Sequence, residues 1–435
     1  MASIVVVLIV LGCAAFQYFK GTLVKAFATI MIAICAGTAA FGYFELLANV
    51  IIGRGDGSLT SLVPWAQPLS FVLLFVLAFA IFQTAASQLL RNPIDLGFMP
   101  ERIGRVVCGI FLGLIVSGFL FTAADMAPLS PKWPYQRFDP MSLKPEEPRR
   151  ALLNVDGLAT GLFSVISNGG LSGKRSFATI HPDYLDQLFL NRLLGSGVSV
   201  VSSLSPAIEV PKPAVWPASE AIGEQVSRFI EELKRSGGRL VYDAGKSVSL
   251  PVSTKGGYDP TMVRIGIKKR ALRTEAALTG GTFTPGQLRL ICKRKGYGED
   301  QLTGEAMNVY PIGYLKTADQ VQAMGPEMKI ASSDFQGDAN SRFIDFVFCV
   351  PNGFEPALVE FKLNSIAEIP RSAIVAADQA PEAAPFVPSA GGQGDTQRSR
   401  RSSSQPEEGG SSPPPARRGL SNVGRSAVGP GLDEE

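Results

Sequence analysis

The chain holds 1 histidine, His181, and 5 cysteines in 435 residues, which bounds the chemistry that imidazole or thiolate could perform. A serine nucleophile needs a neighbouring base and a third group that orients the base. His181 is the sole imidazole available, and no serine stands in a GDSGG or GxSxG context. The run Ser167-Asn168-Gly169-Gly170-Leu171-Ser172-Gly173 reads as a flexible turn, and His181, directly before Pro182, reads as the residue ahead of a helix. No CxxC pair, Walker P-loop, dinucleotide-binding fingerprint or HExxH motif occurs, so nothing recruits zinc, nucleotide or another cofactor. No two carboxylates can be argued into a glycosidase arrangement. The expectation is a non-enzymatic protein without a cofactor, and a membrane-tethered protease is the remotest alternative.

The other reactive groups lie in telling places. Cys13, Cys35 and Cys108 sit inside apolar stretches and read as small packing residues. Cys292 and Cys349 fall in the later, polar half. In an oxidising compartment they could form a disulfide, provided their Cα atoms come within about 7 Å, and the spacing leaves this open. Glu45 and Asp125 are the acidic residues nearest the apolar stretches, and both fall at their ends. That position suits snorkelling to a membrane interface better than a proton relay, which places ionisable groups deeper.

Those stretches are the elements that everything else must hang on. Crossing about 30 Å of hydrocarbon at about 1.5 Å per residue takes roughly 20 apolar residues. Ala2–Phe19 and Ala26–Phe44 carry no charge, and the second can continue to Ile52 past Glu45. Pro68–Leu90 and Val106–Ala124 complete a set of four within residues 1–125. One such run could be a buried helix of a soluble protein; four together predict a membrane module. No basic group precedes the first run and no small-x-small site follows it, so it reads as a retained helix rather than a signal peptide.

The connections carry the charge. Lys20 and Lys25 separate the first two helices, and Arg91, Arg102 and Arg105 separate the last two, against Arg54 alone on the opposite side. The positive-inside rule places both basic connections in the cytoplasm and everything after Asp125 outside it. Small residues recur every fourth position as Gly109, Gly113 and Ser117 on the fourth helix and Thr29, Ala33 and Gly37 on the second. Such stripes let helix backbones approach closely in lipid, either within one chain or between copies in a homo-oligomer.

The layout resembles the CvpA (colicin V production protein) family of bacterial inner-membrane proteins. The likeness rests on the step Phe19-Lys20-Gly21-Thr22-Leu23-Val24-Lys25 and on Arg102-Ile103-Gly104-Arg105 followed by Gly109-Ile110-Phe111-Leu112-Gly113. It covers residues 1–125. Ser3 and Lys25 stand where family members often carry acidic residues, so no family role passes to those positions. The resemblance implies a multi-pass inner-membrane protein linked to export or envelope processes, without an established catalytic activity.

After Asp125 the character changes. Residues 126–150 repeat proline and read as a stiff tether, with Trp133 and Tyr135 at the membrane interface. Residues 151–238 read as a mixed α/β segment with helices over Asp183–Leu194 and Ser219–Arg235. Residues 239–370 alternate with period two at Arg239–Tyr242, Met262–Lys268, Gln287–Lys293, Ser341–Val350 and Pro356–Leu363, which predicts an antiparallel β-sandwich-like domain. The runs FIDFVFCVP and ALVEFKL resemble the closing hairpin of immunoglobulin-like surface domains. Residues 371–435 are rich in Pro, Ser, Gly, Glu and Arg and read as a disordered tail.

The expected fold is thus a membrane α-helical module, a soluble α+β or β-sandwich-like domain, and a tail. A net charge of +3 without a basic block argues against nucleic acid as a partner. The expected partners are the lipid bilayer, a second copy, and an envelope protein bound by an extracytoplasmic domain. The alternative function is an oligomeric export component built around a solute path.

Overall fold

A computed structural model describes residues 2–388, apart from 21, 54–59, 91–96, 170–172, 194–200, 203–205, 270, 272–280, 297–301 and 336–338. Arg54, Arg91 and the tail beyond residue 388 lie outside the described residues. Among the described residues, four helices are long and apolar enough to cross a membrane: α1 (Ala2–Lys20), α2 (Leu23–Gly53), α3 (Ala66–Leu89) and α4 (Phe98–Met126). The protein is a membrane protein by that criterion. Helix α1 packs along α4 and α2 along α3.

Both small-residue stripes are used inside the chain. A Cβ on Gly109 would stand 2.5 Å from Cα of Ala14, and one on Gly113 would stand 2.6 Å from Cα of Val10. Only glycine lets α4 approach α1 this closely. Ser117 is buried, with its hydroxyl donating to the Leu114 carbonyl at 3.0 Å. On α2, Ala33 packs with Leu112 and Ile115 of α4, and Gly37 receives the ring of Phe163. Thr29 donates to the Lys25 carbonyl at 2.8 Å. At the helix starts, Gly104 lies against Leu23, so Lys20, Lys25, Arg102 and Arg105 gather at one end of the bundle.

Beyond the bundle come α5 (Val155–Asn168), α6 (Phe177–Ile180), α7 (Tyr184–Leu193) and α8 (Glu220–Ser236). Helix α8 starts after Ser219 and stops at Gly237, whose φ of +67° is the left-handed cap that glycine adopts without strain. Its face of Ile222, Val226, Ile230 and Leu233 enters the core of the β-rich region.

The strands run β1 (Ile208–Glu209), β2 (Val215–Pro217), β3 (Arg239–Asp243), β4 (Lys246–Ser249), β5 (Tyr258–Lys268), β6 (Thr282–Phe283) and β7 (Leu288–Arg294). They continue with β8 (Ala306–Val309), β9 (Pro311–Leu315), β10 (Val321–Ala323), β11 (Met328–Lys329), β12 (Ser341–Pro351), β13 (Phe354–Phe361) and β14 (Ser365–Glu368). One sheet has the order β1-β5-β12-β9-β10, with β2 also on β5; a second has β14-β13-β7-β8. Residues of both sheets, among them Ile265, Phe346, Leu290 and Val359, share one hydrophobic core. The strand periodicity located five of these strands, and the structure is β-rich in this region, with separate sheets.

Four expectations are corrected. Strands β12 and β13 do not form a hairpin: β12 pairs with β5 and β9, and β13 with β7 and β14. Every residue from Ile344 to Val350 is buried, so β12 needs neighbours on both edges, and the turn at Gly353 (φ +85°) hands the chain to the other sheet. Residues 126–150 are not a free tether. Phe138 and Leu143 are buried with Phe189, Leu190 and Tyr310, and the Pro140 carbonyl accepts from Ser249 at 2.9 Å. Residues 1–389 accordingly form one compact unit. The β-rich region begins with β1 and β2, ahead of residue 239. Finally, residues 371–388 are folded: Ala373 and Phe386 are buried, and the amides of Ala384 and Phe386 donate to the Asp345 carboxylate and the Leu315 carbonyl, each at 2.8 Å.

Candidate functional site

The β-rich domain meets the helical bundle through a buried polar chain that begins on α2. His181 Nε2 lies 2.8 Å from Glu45 Oε1. The histidine side chain is 2% exposed and the Glu45 side chain 32%, so the acid reaches from the flank of α2 into the domain. On the other side of the ring, His181 Nδ1 stands 3.0 Å from Gln187 Oε1 and 3.1 Å from Arg289 Nη2. Gln187 Nε2 donates to both oxygens of Glu360, at 3.1 and 2.8 Å. Arg289 pairs with Glu360 across the β7–β13 ladder and reaches Asn308 on β8, which in turn donates to the Pro182 carbonyl.

Local structure explains why these groups converge. Leu288, Leu290 and Cys292 point into the core between the sheets, so the alternating pleat turns Arg289 to the opposite face. Pro182 and the positive φ of Asp183 (+51°) set the corner that leads into α7 and leave His181 aimed at α2. An aromatic cluster surrounds the pair: Phe41 lies 4.5 Å from Phe163 and 5.2 Å from Phe177 by ring centroids, and His181 lies 4.9 Å from Phe177 and 5.1 Å from Tyr184.

The groups around the ring admit two protonation states. Both ring nitrogens face acceptors, Glu45 and Gln187, and only the imidazolium can donate to both. A neutral ring protonated at Nε2 would keep Glu45 and accept from Arg289 at Nδ1 instead, since a guanidinium only donates. Burial works to push the His181 pKa down, but the carboxylates of Glu45 and Glu360 outweigh it and Arg289, and the group is held above its ordinary value. Burial drives Glu360 up, Glu45 adds to that, and Arg289 and His181 oppose it.

Two further joints complete the junction. Asp125 on α4 is buried 3.8 Å from Arg192 of α7, and Arg192 also donates to the Ala127 carbonyl at 3.3 Å. Gln67 of α3 donates to the Leu363 carbonyl at 2.6 Å. A cleft of about 420 Å³ opens beside the Glu45–His181 pair, walled by Thr38, Phe41, Gly42, Phe163 and Phe177. A polar groove of about 550 Å³ runs along the other side of α5, with Arg137, Arg150, Thr160, Ser164 and Asp186 on its walls.

Sequence reasoning therefore misread its two acidic residues. Glu45 and Asp125 do not snorkel into open interface: Glu45, on the flank of α2 eight residues before its end, meets His181, and Asp125, at the end of α4, lies beside Arg192. His181 is more than a residue ahead of a helix, because it is one of the contacts that join domain and bundle. A signal was present: Glu45 and Asp125 each lie 20 residues beyond a basic residue, Lys25 and Arg105, and the sole histidine follows. Tyr135, assigned to the interface, instead donates its hydroxyl to Asp156 of α5. Cys292 and Cys349 are buried free thiols on strands of different sheets, so the disulfide raised from sequence is not formed.

Comparison with protein-family models, with curated proteins and with solved structures returns no match.

Proposed function

We propose that the chain is an envelope- or export-related protein of the inner membrane, similar in its helical module to the CvpA family. Its four helices anchor a β-rich domain outside the cytoplasm, and that domain binds an envelope partner without catalysing a reaction. The observation that carries the reading is the placement of the domain. It docks on Glu45 and Asp125, at the end of the bundle opposite Lys20, Lys25, Arg102 and Arg105. The positive-inside rule keeps that basic end in the cytoplasm. The polar groove beside α5 supports a binding role, because it offers both charges and uncharged hydrogen-bonding groups at an open surface.

A reporter that is active only outside the cytoplasm, fused after Pro388, tests the arrangement in living cells. Activity is the expected result. An inactive reporter, together with one that works in the Lys20–Lys25 connection, would put the domain in the cytoplasm and remove the envelope reading.

A further inference from the structure

Helix α5 is placed oddly for part of a soluble domain. Its residue Phe163 rests on Gly37 of α2, and Val155 rests on Gly118 of α4. Lys25 and Glu45 are 20 residues apart on α2, and Arg105 and Asp125 are 20 apart on α4. Each pair therefore spans about 30 Å, the thickness of a hydrocarbon core. Gly37 lies 8 residues short of Glu45, and Gly118 lies 7 short of Asp125. At about 1.5 Å per residue, α5 touches the bundle about 10–12 Å inside the level of those carboxylates.

Its surface divides into three strips by helical periodicity. Val155, Ala159 and Phe163 are buried toward the bundle. Thr160 and Ser164 line the polar groove. The third strip holds Leu158, Leu162 and Val165, and Val165 is 73% exposed. Just ahead of the helix, Leu153 is 67% exposed and Leu152 is also uncovered. On α1, whose Val6 packs against Val155, Val5 on the flank is 47% exposed, and Ile4 and Leu8 are bare on the far face of the helix.

We infer that α5 is an in-plane membrane helix, with Leu152, Leu153, Leu158, Leu162 and Val165 immersed in the acyl chains of the leaflet on the domain side. The apolar strip continues the lipid-facing surface of the spanning helices at a depth where those helices contact lipid. The polar strip faces away from them toward the groove. Helix α5 carries no Lys or Arg, so the bilayer holds it through apolar burial, without attraction to anionic headgroups. The chain is thus fixed to the membrane by a fifth element that does not cross it, and the groove beside α5 opens at the membrane surface.

The inference rests on the four spans and on no assignment of function. It is tested on the full chain in phospholipid vesicles, with single cysteines in a background whose own five cysteines are alanine. Spin labels at Leu158 and Val165 are compared with labels at Ser164, at Leu77 on the exposed face of α3, and at Lys246. Power saturation by oxygen and by a water-soluble nickel complex then reads depth. The expected result places Leu158 and Val165 about 5–10 Å below the headgroup boundary, with Ser164 and Lys246 reached by nickel and Leu77 reached by oxygen. Nickel access at Leu158 and Val165 equal to that at Ser164 would overturn the inference while the Leu77 label still reports lipid. A Leu77 label open to nickel would overturn the spans on which it stands.

Discussion

Glu45, on the membrane helix α2, and His181, on the corner before α7, meet at 2.8 Å with the imidazole buried and the carboxylate half-buried. They are 136 positions apart in sequence, and their contact fastens a β-rich domain to a helical bundle. Removing Glu45 leaves a ring nitrogen of the buried His181 without its carboxylate partner, which costs more than the loss of an exposed hydrogen bond.

The junction is expected to weaken in alkali. His181 faces Glu45 from α2, Arg289 from β7, Glu360 from β13, and Gln187 and Tyr184 from α7. Its pKa is raised on folding. A group so raised stabilises the folded state fully below its ordinary value of about 6.5, and that contribution is lost as pH rises through the raised value. Thermal unfolding in nanodiscs between pH 6 and pH 9 should show Tm falling with pH, and His181→Asn should flatten that fall. An equal slope in the variant would contradict the assignment.

Gly109→Leu and Gly113→Leu should each destabilise the bundle by about 1–3 kcal/mol or more, the usual cost of overpacking. Each added side chain meets backbone of α1, at Ala14 and at Val10, and backbone yields less than a side-chain tip. Denaturant titration checks the loss, and the mass of the solubilised particle should stay unchanged. A variant that dissociates an oligomer while keeping its own stability would show that the stripe serves a second copy.

The two cysteines of the β-rich domain should be silent in the native state. Burial pushes the Cys349 thiol up to about 12 and raises that of Cys292 as well, and the reactive form of a cysteine is the thiolate. Maleimide at pH 7.5 should label neither until denaturant is added, and reductant should leave Tm unchanged. Stabilisation that disappears on reduction would restore the disulfide.

The elements were more legible than their assembly. Long uncharged runs announced α1 to α4, and alternation placed β5, β7, β12 and β13, because each pattern is local. Pairing was not local. The alternation of Phe346 and Val347 looked two-sided because β12 is buried on both faces, and the run could not say that its successor belongs to another sheet. Helix α5 escaped notice because Val155–Asn168 mixes Gly, Ser and Thr with apolar residues, a composition that becomes meaningful only against a membrane and a bundle. Glu45 and His181 each look ordinary alone, and their roles exist only once the corner before α7 meets α2.

The central claim is that this contact couples domain to bundle, and a double-mutant cycle tests it most directly. Stability of the docked domain in nanodiscs would be measured for the parent, Glu45→Gln, His181→Asn and the double variant at pH 6. Residues in direct contact show interaction energies of about 0.5–3 kcal/mol, and the account predicts a value in that range, with the double variant losing less than the sum of the single losses. Strictly additive losses would contradict it.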